Sequence, residues 1–306
     1  MVAAISRLDS KSLGALVGLD AFKHLKAKNL GGTNNYKGGR YEEFFGAHRI
    51  ARLAKKLITR HEDATVEWQS DCFVDDFVVR RDSEASFTGY QLKNAAAVSW
   101  TLGTIANDFK LQHSVSTAEG YADVRLRLVC SHQSVVSALK TSVPNEIAGF
   151  SRPMYFPYDE QLMKVLWAHS WMVDDFGFLS KHEHPTKADA QQVASVMMGA
   201  WSASAPKANV SDILNQARDM SPTIMRSVQS DEEARSRLLP EFVSALQAMP
   251  DFTYDIMKGF MRWSAMSGST TGVLSFDCFH EKFVKLQRHI AGLSPKSFQD
   301  IEGVLI

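Results

Sequence analysis

Two short stretches carry side chains whose types and spacing could do phosphodiester chemistry. Asp75 and Asp76 sit in Val74-Asp75-Asp76-Phe77-Val78-Val79, and Gln91 and Lys93 sit in Tyr90-Gln91-Leu92-Lys93-Asn94. A carboxylate can hold Mg²⁺, a hard ion that takes oxygen ligands and keeps several of its waters. Such an ion polarises a phosphate and acidifies a water. A lysine beside it orients or deprotonates that water, or neutralises charge in the transition state. An amide oxygen adds a neutral ligand. By spacing alone, an ordinary hairpin with exposed charges is the commoner source of such a set.

The chemistry requires elements that bring Asp76 to Gln91 and Lys93. Residues 72–79 are rich in Phe and Val, which suit a half-buried strand. Residues 87–93 place Phe87, Tyr90 and Leu92 among polar neighbours, and the run from Arg80 to Ser86 between the two has turn character. Side chains alternate along a strand, so Gln91 and Lys93 share one face while Tyr90 and Leu92 share the other. A further strand is expected upstream, from Ala64 to Gln69.

Before the strands, Gly31 to Gly39 is glycine-rich but lacks the G-x-x-x-x-G-K-[ST] spacing and a preceding strand, which excludes a phosphate-binding P-loop. A helix is expected from about Arg40 to Arg60, with Phe44, Ala47, Ile50, Ala51, Ala54 and Leu57 on its apolar face. Arg49, Arg52, Lys56 and Arg60 recur at spacings of three and four, as a solvated face or as a DNA-backbone contact. Glu42 and Glu43 fall in its first turn, where the helix dipole favours acids. After Lys93, Ser99 or Thr101 can cap a helix running to about Val115, with Asp108 and Gln112 one turn apart on it, able to touch the site but expected to face water. Val124 to Cys130 reads as a buried strand, with Arg125 and Arg127 on one face, as a solvated side more readily than as a phosphate contact, and Ser134 to Thr141 as a helix.

The order αβββαβα, Gly38-Gly39-Arg40-Tyr41-Glu42 opening a helix, the Asp75-Asp76 strand, Gln91-Leu92-Lys93 and Ser99-Trp100-Thr101 together resemble the PD-(D/E)xK nuclease superfamily, the restriction-endonuclease-like fold. More narrowly, they resemble the double-stranded DNA endonuclease domains of bacterial anti-phage systems. These include Lamassu-type systems with an SMC-like ATPase and nuclease effectors of cyclic-nucleotide signalling operons. The resemblance spans roughly residues 30–135. It implies that Glu42 is the helix acid, with Glu43 as fallback, and Asp76 rather than Asp75 the main metal ligand. Gln91 and Lys93 would be the E/Q-x-K pair, and the Leu92 carbonyl an inner ligand. It also implies a Mg²⁺ cofactor, with Mn²⁺ as a substitute, and double-stranded DNA as substrate. The implied partners are further subunits of a defence complex and a second copy of the chain when active. Glutamine at 91, where glutamate is commoner, leaves the site one negative charge short; related restriction-type nucleases carry it too.

The chain's 306 residues suffice for a sizeable core and two domains. We expect an N-terminal arm over 1–30, a nuclease domain over 31–145 and an all-α assembly or regulatory domain over 146–306. Pro144 to Pro157 marks the change of character. Helices are expected at 159–173, 186–203, 210–218, 231–247, 252–267 and 276–290, starting at Thr186 and Ser230 and broken at Pro206, Pro222 and Pro250. Trp167, Trp171, Trp201 and Trp263 lie in this half as core or subunit contacts. His182-Glu183-His184 reads as a polar loop, and the second Val-Asp-Asp-Phe, at 173–176, as coincidence. Net charge is zero, with 19 basic against 16 acidic residues in 1–150. This suits a local basic groove but not a bulk polyanion binder. The three cysteines are far apart, no run approaches a membrane span, and the first residues lack a secretory build. The expected location is therefore cytoplasmic, with no membrane contact. The sequence also permits a catalytically silent DNA-binding or scaffolding subunit, and an RNA-directed nuclease, since nothing in it reads a 2′-hydroxyl.

Overall fold

A computed structural model describes residues 10–18, 20–23, 36–101 and 103–305. Most of the expected N-terminal arm, and the glycine-rich run as far as Asn35, lie outside the described residues. Helix α1, Ser10–Val17, precedes α2, Tyr36–Arg60, which begins earlier than expected and takes Gly38 and Gly39 into its first turns. Then come β1 (Thr65–Trp68), β2 (Phe77–Arg81), β3 (Ser86–Lys93), α3 (Ile105–Ala118), β4 (Asp123–Cys130) and α4 (Gln133–Thr141). From α2 to α4 the element order is the one read from the sequence.

The sheet does not stop at residue 145. Strand β5, Ser151–Tyr155, extends it in parallel beside β4. After helices α5 (Leu162–Ala168), α6 (Ser170–Phe178) and α7 (Lys187–Ala203), the three-residue β6, Lys207–Asn209, pairs antiparallel with β1. The result is a six-stranded mixed sheet in the order β5-β4-β3-β2-β1-β6. Pro153 in β5 lacks an N–H and is tolerated because β5 is an edge strand.

Both faces of the sheet are covered. On one, Phe77, Val79, Tyr90, Leu92 and Val129 pack against Tyr41, Phe44 and Phe45 of α2 and against the following helices as far as α8 (Val210–Met220). On the other, Val78, Phe87, Leu126 and Leu128 pack against Trp100, Phe109, Val135 and Leu139 around α3 and α4. The fold is therefore mixed α/β.

The carboxy-terminal part departs from the all-α expectation. Helices α9 (Asp231–Arg235), α10 (Pro240–Gln247), α11 (Glu281–Leu293) and α12 (Glu302–Leu305) surround a three-stranded antiparallel sheet: β7 (Thr253–Met257), β8 (Phe260–Ala265) and β9 (Thr270–Val273). The helix expected over 252–267 is a hairpin. Its apolar residues also alternate, and Lys258-Gly259 turns the chain with φ of 54° and 81°, the pair of positive values that a tight hairpin turn demands. The helix expected over 231–247 is two, because Pro240 starts a new one where its missing N–H costs nothing. Where helices were placed at Thr186 and Ser230, both residues form capping boxes, with Asp189 and Glu233.

Candidate active site

The sequence around residue 76 enters β2 through a pinned loop. The Phe73 and Val74 amides donate to Gln112 Oε1 at 2.8 and 3.4 Å, and Ser70 N donates to the Asp75 carbonyl at 3.1 Å. The expected strand over 72–79 thus begins only at Phe77. The β2–β3 register pairs Phe77 with Tyr90, and continuing it by one residue sets Asp76 across from Gln91. Asp76 is 9% exposed, and its Oδ2 accepts from Gln91 Nε2 at 2.5 Å and from the Leu92 amide at 2.6 Å. Lys93 follows on the Gln91 side of the strand, since alternate residues share a face.

Glu42 reaches this point from α2. Its Oε2 accepts from Gln69 Nε2 at 2.8 Å. Burial pushes its carboxyl up to about 7, and the neighbouring charge of Asp76 adds to the effect; the Gln69 hydrogen bond and the Lys93 ammonium act the other way, and Asp75 raises it a little further. That pattern places Glu42 within electrostatic reach of Asp76, Lys93 and Asp75 together. Glu43 instead accepts from Ser202 of α7. Of the two acids in that turn, only Glu42 faces the Asp76 cluster. Of the two aspartates, Asp76 makes the bonds to the Gln91-Leu92 pair, while Asp75 is buried beside it at 2% exposure.

Arg49, Arg52, Lys56 and Arg60 of α2 do not form a uniform solvated stripe. Arg49 donates to Tyr90 Oη at 2.6 Å and stacks over its ring at 5.0 Å. Arg52 lies 3.6 Å from Asp175, the same carboxylate that His48 Nε2 contacts at 3.0 Å. The second Val-Asp-Asp-Phe therefore has a structural use, tying α6 to α2. Lys56 and Arg60 are exposed.

Two residues expected to face water are buried. Asp108 is 3% exposed and accepts from Thr104 Oγ1 at 2.8 Å; Gln112 is 1% exposed and holds the loop before Asp76. Helix α3 starts at Ile105 behind Thr104, not at Ser99 or Thr101. Gln112 thus holds the loop before Asp76, where the sequence favoured exposure over contact with the site, since one polar residue in an amphipathic helix carries no mark of burial. The His182-Glu183-His184 loop pairs with Asp189 and Arg262 and stays polar.

Among the described residues, no three or more His, Cys, Asp and Glu side chains gather as a ready metal cage. The donors present are the Glu42 and Asp76 carboxylates, the Gln91 amide and the Leu92 carbonyl. Such a set fits a hard divalent ion that retains most of its waters. A desolvated glutamate displaced upward beside a second carboxylate is what a cation would relieve, and rotation of the Gln91 amide presents Oε1 in place of Nε2. Comparison of the chain with protein-family models, curated proteins and solved structures returned no match.

Proposed function

We propose that this chain is a divalent-metal-dependent DNA endonuclease that hydrolyses phosphodiester bonds. The observation that carries the reading is the convergence of Asp76, Gln91 and Leu92, joined by direct hydrogen bonds, with Glu42 displaced to about 7 beside them. The αβββαβα order and the mixed sheet support the restriction-endonuclease-like assignment within the observed α/β fold. Glu42, Asp76, Gln91 and the Leu92 carbonyl would hold Mg²⁺ or Mn²⁺. When bound, such an ion supplies Lewis-acid polarisation of a phosphate oxygen and a lowered pKa for the attacking water. Lys93 orients that water and offsets the charge that develops on the phosphate.

The resemblance to anti-phage nucleases makes an effector subunit of a bacterial defence complex the biological setting we favour, with other subunits, an SMC-like ATPase or a second copy as partners. No described helix is long and apolar enough to cross a membrane. Trp167 and Trp171 are 49% and 39% exposed, an apolar face suited to such an assembly. The test is plasmid cleavage with Mg²⁺ or Mn²⁺, with the chain alone and with the products of neighbouring genes. Wild type should cleave, and Lys93→Ala should lose cleavage while keeping its fold. Absence of metal-dependent cleavage under all these conditions would sink the enzyme reading.

The alternative, a silent DNA-binding or scaffolding subunit, draws on the two donors that already satisfy Asp76 Oδ2. Asp76→Ala separates the two readings: unchanged cellular protection favours the scaffold, and lost protection with intact assembly favours the enzyme.

A further inference from the structure

Three arginines and a tyrosine meet on the α2 face of the sheet, outside the candidate active site. The registers place Tyr90 of β3 beside Arg127 of β4, and Arg127 beside Arg152 of β5, in one continuous row. Arg49 of α2 closes on this row through its 2.6 Å bond to Tyr90 Oη. Like charges directly opposite on neighbouring strands destabilise a sheet, and here Arg127 and Arg152 are such a pair. Among the described residues, none of Arg49, Arg127 and Arg152 forms an ion pair with an acid, whereas the adjacent Arg125 is paired with Asp123 at 2.7 Å. Arg49 Nε is buried with its hydrogen-bond capacity unused, and Arg127 is partly buried with one nitrogen on the Leu126 carbonyl at 2.8 Å. The mutual repulsion is felt: burial, together with Arg152, Arg125 and Arg49, makes the Arg127 guanidinium easier to deprotonate than usual. A fold that stabilised only itself would place an acid here.

We propose that Arg49, Arg127 and Arg152, with the Tyr90 hydroxyl, form a clamp for one backbone phosphate of the nucleic acid. The ligand chemistry is a tetrahedral oxyanion, which guanidinium forks bind through paired N–H donors. The placement relative to the active site fits a nucleic-acid strand. Glu42, Phe45 and Arg49 lie at i, i+3 and i+7, a single stripe of α2. Seven residues at ~1.5 Å each put the clamp ~10 Å from Glu42, about three nucleotide steps of duplex at ~3.4 Å. The clamp would hold the substrate a few nucleotides from the bond to be cut. Its assignment to nucleic acid rests on the nuclease reading, but binding can be measured without cleavage.

The experiment is fluorescence-anisotropy titration of a short labelled DNA duplex in EDTA over a series of salt concentrations. Wild type is compared with Arg127→Gln, Arg152→Gln and the double variant, and with Arg288→Gln on the distant α11 as control. Each clamp variant should bind about 5- to 10-fold more weakly, regardless of duplex sequence, and the slope of log affinity against log salt should fall by about one. Because the change relieves repulsion, Arg152→Gln should melt at or above the wild-type temperature, which separates lost binding from lost folding. Unchanged affinity and slope in the double variant would overturn the clamp, even if wild type cleaves DNA. So would a wild type that binds no duplex but is stabilised by inorganic phosphate in an Arg127-dependent way; that result would reassign the site to small phosphates. Duplex binding that depends on the clamp, in a protein that never cleaves, would keep the clamp and reject the nuclease.

Discussion

Replacing Glu42 with glutamine should make the metal-free protein more stable, by an amount set by pH. In the unfolded chain Glu42 ionises near its ordinary value of 4.5; in the folded protein it ionises near 7. Between those values the native state holds a proton that the unfolded chain releases. Stability therefore falls as pH rises from 4.5 through 7, and the full cost applies above 7. At ~1.36 kcal/mol per pH unit, the displacement of about 2.5 corresponds to an upper bound of ~3 kcal/mol. Since the carboxyl keeps some exposure, ~2 kcal/mol is the working figure. Glutamine has no proton to lose and retains an oxygen for Gln69. Chemical unfolding in EDTA should thus find Glu42→Gln ~2 kcal/mol more stable than wild type at about pH 8 and within ~1 kcal/mol of it at about pH 5. Titrating groups that do not interact with Glu42 cancel in the comparison. Adding Mg²⁺ at the higher pH should stabilise wild type more than the variant, because a ligand that binds only the native state adds stability. An advantage equal at both pH values would refute the placement of Glu42 in a desolvated, Asp76-facing site.

Other substitutions test the frame around the site. Gln112→Ala leaves the Phe73 and Val74 amides without their acceptor; it should cost ~1–3 kcal/mol in denaturant unfolding and lower cleavage, and Gln112→Glu, which keeps the oxygen, should restore both. Gly46→Ala places a Cβ 2.6 Å from Trp201 Nε1. The ~1 kcal/mol gained in helix propensity should be outweighed by overpacking of ~1–3 kcal/mol, so the melting temperature should drop rather than rise. Arg80→Met removes the guanidinium that the buried Glu67 and Glu119 now meet at 3.2 and 3.4 Å. A loss of ~3–5 kcal/mol is expected, most of it recovered when both glutamates are also made apolar.

The hairpin that forms the site was legible because period-two alternation around Gln91 and Lys93 is a local signal, and so was the helix carrying Glu42. What was not legible depends on partners distant in the chain. Lys207-Ala208-Asn209 has no strand-forming composition; it is a strand because β1 offers it an edge. Strand β5 contains Pro153, which speaks against a strand until its edge position is known. Tyr254, Ile256, Met261 and Trp263 satisfy helical and alternating spacings alike, and only the positive φ of Lys258 and Gly259 decides between them. Gln112 looked solvent-facing because the loop it holds, at residues 73 and 74, is distant in the chain.

The pairing of β1 with β6 has a consequence for synthesis. Thr65 meets Asn209, so a ribosome must deliver 144 further residues before the edge of the sheet is closed and α2 is covered by α6, α7 and α8. Until then the nascent chain presents an open strand and an apolar helix face, both targets for holdases and proteases. A fragment ending near residue 145 should be insoluble, and messages truncated there would yield no folded product. On the nuclease reading, any toxicity is thereby withheld at least until residue 209 has emerged.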